Sequence, residues 1–250
     1  MNAWAKALGR ATVSRPAASV AFVFAILAAV SIPAGALLEL GAAYPVKVLV
    51  GFALVGAVVI VLARRRLAAP SFGAANQVTL GRAALTALLI GLFGEPAAPG
   101  LAWAALLVAI AVLILDGVDG AVARRRGQES PFGARFDMEV DALLILVLAV
   151  LALQFAKAGV WVLAAGLLRY AFVAAGAVLP WLAAPLPRSL RRQAVCVVQA
   201  VSLIVCLAPF ILTPWSAIAA ALGIAALTWS FTVDVVWLAH NRRRSVQCRS

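Results

Sequence analysis

The chain has 250 residues, of which 65% are hydrophobic and only 12% charged, with a formal net charge of +12. A soluble domain of this size would expose too much apolar surface with that balance, so an ordinary globular fold is excluded. The basic residues sit in short clusters between apolar blocks, as expected of loops flanking membrane spans, which argues against a nucleic-acid binder.

The blocks have the length of roughly 18 to 25 residues that a helix needs to cross a bilayer core of about 30 Å. Helix is the default there, because every backbone polar group in lipid needs an internal partner. The expected fold is therefore all-α, a polytopic membrane helix bundle. Eight spans are legible in chain order. The first covers Ala17–Leu38; the many later spans and the lack of a small-x-small cleavage site favour a retained span over a signal peptide. The second is Val46–Leu62, followed by Arg64 to Arg66 and a Pro/Gly-containing linker, PSFGAAN. The third runs from near Gln77 to before Gly94, the fourth from Leu101 to about Gly120, and the fifth from Phe132 to about Phe155. The sixth is Val160–Leu179, ended by Pro180. The seventh is Arg191–Leu212, and the eighth Ser216–Leu238, closed by Asn241 and Arg242 to Arg244.

With the N-terminus in the cytoplasm, one orientation satisfies every loop. Lys6, Arg10, Arg15, Arg64 to Arg66, Arg82, Arg124 to Arg126, Arg135, Arg188, Arg191, Arg192, Arg242 to Arg244 and Arg249 then face inward. Only Lys47 and Lys157 face outward, and Arg169 falls within a span. The expected organisation is an N-terminal helix pair (1–70), the six later spans (71–241) and a basic cytoplasmic tail (242–250) in the inner (plasma) membrane. Cys196, Cys206 and Cys248 show no CxxC pairing and read as packing or surface residues.

Four of the five aspartates lie between positions 116 and 141. They read Asp116-x2-Asp119-Gly120-x2-Ala123-Arg124-x8-Gly133-x3-Asp137-x3-Asp141. Spacings of three and four place each pair on one helix face. The two helices are antiparallel neighbours joined by a short loop, so the pairs can face each other at one depth. Four such carboxylates repel strongly near hydrocarbon, and either basic residues or metal ions must neutralise them. An oxygen-only donor set suits hard divalent cations. The only histidine, His240, is distant in the chain. Two cations would offset four charges and could clamp a pyrophosphate. Gly120 and Gly133 leave room for a ligand, and Arg124 can donate to a phosphate oxygen.

At these residues the sequence resembles the CDP-alcohol phosphotransferase family, whose motif D-x2-D-G-x2-A-R-xn-G-x3-D-x3-D is present at every fixed position. The six later spans (71–241) match the six-helix core of that family. The resemblance implies that Asp116, Asp119, Asp137 and Asp141 bind two divalent cations, Mg²⁺ or Mn²⁺, and that Asp141 is the general base. It implies that Gly120, Ala123, Arg124 and Gly133 form the CDP pocket. It also implies that Asn76, Thr79 and Arg82 help hold the nucleotide; the alternative for Asn76 is a helix cap. The implied substrates are CDP-diacylglycerol and an alcohol, with release of CMP, and family members often form homodimers.

Arg169, Arg188, Arg191 and Arg192 are the candidates for binding the acceptor, for example a phosphorylated polyol. Their alternatives are ion pairs, with the aspartates or Asp234, and topology-setting charge. Asp234 is expected to pair with a terminal arginine. Glu129 reads as a loop charge, and Glu139 faces away from the aspartate stripe. A competing function is a cation- or proton-coupled transporter, but such a carrier needs acidic groups reachable from both sides near the midplane. These four sit at one end of their spans.

Overall fold

The computed structural model describes residues 16–66, 72–126, 130–184, 186–187 and 189–247, with side chains described except at 64–66, 99, 119–126 and 243–247. All regular structure among them is helical. The α-helices are α1 (Pro16–Leu37), α2 (Tyr44–Arg66), α3 (Ala74–Gly91), α4 (Pro99–Arg126), α5 (Pro131–Gln154), α6 (Ala164–Val178), α7 (Leu190–Leu207) and α8 (Trp215–Gln247). Short 3₁₀ turns at Val160–Leu163 and Pro180–Ala183 flank α6. Proline opens α1, α4 and α5, where its missing N–H has no intrahelical partner to lose.

Among the described residues, six helical segments are long and apolar enough to cross a membrane: Pro16–Leu37, Tyr44–Ala63, Gly100–Val118, Val160–Val178, Leu190–Leu207 and Trp215–Arg242. The protein is a multi-pass membrane bundle. The other two helices, α3 and α5, fall outside this set because polar and charged residues interrupt them: Asn76, Gln77 and Arg82 on α3, and Arg135, Asp137, Glu139 and Asp141 on α5. Several helices end differently from the expected spans: α4 runs on to Arg126 and α8 to Gln247. The sixth span begins as a 3₁₀ turn, with its α-helix confined to Ala164–Val178. The seventh stops at Leu207, not Leu212. Ala208 there takes ψ 127°, because the ring of Pro209 disfavours a helical residue before it.

The chain divides into two compact units, Met1–Asp141 and Ala142–Ser250, with the boundary inside α5. In the first unit α1 packs on α2 and α3, α2 on α3, and α3 on α4. The N-terminal pair is therefore joined to α3 within one unit. A Cβ at Gly91 would lie 2.5 Å from Val48 and 2.6 Å from Tyr44, so α2 and α3 touch at a spot only glycine permits. In the second unit α7 packs on α8, and α6 also meets α8.

The two lysines set apart by the charge pattern are both engaged. Lys47 pairs with the buried Glu95 and donates to the Phe93 carbonyl at 2.7 Å, while the Gly41 N–H donates to Glu95 at 2.8 Å. This ties the α1–α2 turn to the α3–α4 loop. In the second unit Lys157 donates to the carbonyls of Ala208 (2.9 Å) and Ile211 (2.7 Å), satisfying oxygens beyond the end of α7.

The Lys47 hydrogen bond, then the Gly41 N–H, hold the Glu95 carboxyl below its ordinary value of 4.5. A lowered folded pKa stabilises above the ordinary value, and that stability is lost as pH falls through it toward the folded value. Thermal stability in detergent should therefore fall progressively as pH drops below about 4.5. Glu95→Gln should lose about 1–3 kcal/mol near neutrality and flatten that acid limb. An unchanged acid limb in the variant would remove Glu95 as its source.

Candidate metal and nucleotide site

The site is built at the start of α5, the adjoining part of α3 and the second half of α4. Phe72, Phe132 and Phe136 are fully buried, with ring centroids 6.1 to 6.2 Å apart. Each such pair contributes about 0.5–1.5 kcal/mol beyond simple burial. Phe132 and Phe136 lie one turn apart on α5, and packing them on Phe72 fixes where α5 begins relative to α3. That in turn aims Asp137 and Asp141 back toward α3.

Asp116 from α4 meets Asp137 and Asp141 from α5, and each offers a carboxylate oxygen within 4.8 Å of the others. Helical spacing brings the α5 pair onto one face, and the neighbouring helix supplies the third. Arg82, only 1% exposed, enters this cluster from α3. Its Nη1 donates to Asp137 at 2.5 Å. Its Nη2 lies 2.9 Å from Asp116 and also donates to Asp141. Three carboxylates share one guanidinium among the described residues, so when all three are ionised negative charge is in excess. Divalent cations would balance it. The donor set is oxygen only, and the aspartates are 23 to 38% exposed, so they are reachable from outside. These residues fit a hard divalent ion.

The remaining residues fall into place unevenly. Asn76 lies against Gly133, where a Cβ would come within 2.8 Å of its Oδ1. The two expected nucleotide contacts from α3 and α5 are thus brought together. Asn76 sits inside α3 and is not its cap; Gly73, with φ 50°, holds the cap position. Thr79 is buried and donates to the Ala75 carbonyl at 3.1 Å. Gly133 N–H donates to the Ser130 hydroxyl at 2.9 Å, which closes the first turn of α5. Asp119, Gly120, Ala123 and Arg124 lie on the α4 backbone, but their side chains fall outside the described residues, as do Glu129 and Arg188. Glu139 pairs with Arg135 at 3.8 Å, on another face from the aspartates.

Sequence reasoning named Arg82 as a nucleotide contact but missed the pairing of its guanidinium with the carboxylates, and it did not name the phenylalanine cluster. A usable signal existed: Arg82 is the only charged residue of an 18-residue helix, and an arginine at that depth needs an acidic partner.

The expected acceptor arginines belong to the second unit. Arg169 is half-buried on α6. Arg191 donates to Asp234 at 2.5 Å and to the Ser230 carbonyl at 2.6 Å, with its guanidinium 5.7 Å from the Trp229 ring centroid. Arg192 reaches Asp234 at 3.4 Å and donates to the Pro187 carbonyl. Asp234 was expected to pair with a terminal arginine. Among the described residues it pairs instead with Arg191 and Arg192, because packing α7 on α8 brings those side chains across the helix interface.

No curated protein and no solved structure matches the chain at a significant level. A family model described as CDP-alcohol phosphatidyltransferase matches residues 72–233, from just before α3 into α8. That stretch holds the whole acidic cluster and leaves α1 and α2 outside it, and on this match the chain belongs to the CDP-alcohol phosphatidyltransferase family.

Proposed function

We propose that the protein transfers the phosphatidyl group of CDP-diacylglycerol to an alcohol, releasing CMP, on two divalent cations held by Asp116, Asp119, Asp137 and Asp141. The convergence of three of these carboxylates in one cluster carries the reading. Family membership supports phosphatidyl transfer from a CDP-alcohol. Bound Mg²⁺ or Mn²⁺ would polarise the pyrophosphate and offset the charge that develops as CMP leaves.

The chain's own residues divide the remaining work. Asn76 and Gly133, brought together on α3 and α5, border the space for the CDP moiety, with Thr79, Gly120, Ala123 and Arg124 completing it. Asp141 accepts the proton of the acceptor hydroxyl. The hydroxyl oxygen forms the new bond to the lipid-bearing phosphorus, and the bond from that phosphorus to the CMP phosphate breaks. Arg169, Arg188, Arg191 and Arg192 are the candidates for a phosphorylated acceptor. Arg191 and Arg192 both pair with Asp234, so an acceptor phosphate would share them with that carboxylate. The charge pattern supports termini and active site on the cytoplasmic side of the inner membrane, with a homodimer by family analogy.

The test is CMP release by the purified full-length protein in mixed micelles, with CDP-diacylglycerol and a panel of alcohols, products being identified by mass. Release should require added Mg²⁺ or Mn²⁺ and stop in excess chelator. Persistent release in chelator would contradict the metal assignment. Cation flux in vesicles with no CMP from any acceptor would favour a carrier instead.

A further inference from the structure

Arg82 is the largest fully buried side chain among the described residues, and it carries a charge. Its three ion pairs bind α3 to both helices that carry the aspartates. Its Nη2 is shared between Asp116 and Asp141, and its Nη1 takes Asp137. These are the same three carboxylates whose oxygens could converge on one ion. A carboxylate oxygen donated to by a guanidinium is a poorer metal ligand, and a fixed positive charge within a few ångströms repels a dication in a medium of lowered dielectric. Arginine cannot relieve this by losing its proton.

We infer that Arg82 is an internal counter-cation that competes with divalent ions for Asp116, Asp137 and Asp141. It weakens and so tunes the cation affinity of the centre, and it keeps α3, α4 and α5 joined when divalent ions are scarce. The inference rests on the reading of the cluster as a divalent-ion site. The opposite role is concrete: if Arg82 merely orients the carboxylates, its removal loosens cation binding.

The experiment measures Mn²⁺ binding to the purified full-length protein in detergent, from the paramagnetic resonance signal of free Mn²⁺. Thermal unfolding is recorded alongside, in chelator and in excess Mn²⁺. Arg82→Gln should bind Mn²⁺ more tightly by about tenfold or more, because a unit positive charge a few ångströms from a dication opposes its binding by more than that factor in a medium of lowered dielectric. It should unfold at lower temperature than the wild type in chelator, with the gap closing in Mn²⁺. Equal or weaker Mn²⁺ binding by Arg82→Gln overturns the inference. If that variant does not fold, Arg82→Lys decides. Its ammonium is a point charge without the planar fork, so a smaller tightening is expected, and unchanged or weaker binding overturns the inference. Mn²⁺ binding by neither wild type nor variants would remove the metal reading itself, and the inference with it. Weak binding by the wild type with tight binding by Arg82→Gln supports both.

Discussion

Asp141→Asn should abolish measurable turnover while the protein still folds and inserts. The change is nearly isosteric, and the amide oxygen can still accept from Arg82, so the contact between α3 and α5 survives in part. What is lost is the negative charge and the basic oxygen. Removing a general base alone lowers rates by about 10²–10⁴. Loss of a cation ligand at the same residue should push the deficit beyond about 10³-fold. CMP release from CDP-diacylglycerol gives the rate, and a single symmetric size-exclusion peak in detergent confirms the fold. Undiminished release from a well-folded variant would remove the base assignment. Asp234→Asn is the natural contrast, since that carboxylate serves Arg191 and Arg192; stability should suffer there more than the chemistry.

Gly166→Val should produce the largest loss of stability of any substitution considered. A Cβ on Gly166 would lie 2.6 Å from the Cα of Leu146 and 2.7 to 2.8 Å from its side chain. The obstacle is backbone, so no rotamer change removes it, and α6 must move away from α5. Small residues at such crossings are how membrane helices approach closely when water supplies no driving force between them. Overpacking of this kind costs about 1–3 kcal/mol, and a branched side chain falls at the upper end or beyond. Gly100→Ala is the control, because a Cβ there meets nothing within 4 Å. Thermal unfolding of the two variants side by side decides the point. Equal melting temperatures would mean that α5 and α6 are not held together at Gly166.

The eight hydrophobic stretches determined the class of fold by themselves, because the length of a membrane span and the need to satisfy its backbone are local requirements. The helical period likewise determined that Asp137 and Asp141 share a face, since spacing along one helix needs no partner. The end of α7 was legible in principle at Ala208-Pro209, yet an apolar count runs past it to Leu212. What surrounds each face was decided only by packing. Nothing in local spacing places Arg82 between Asp116 and Asp141, packs Phe72 against Phe132 and Phe136, or turns Asp234 toward Arg191. Those contacts join residues 34 to 64 positions apart. Their partners are chosen by which helices lie side by side, at which depth, and with which residues small enough to let them touch.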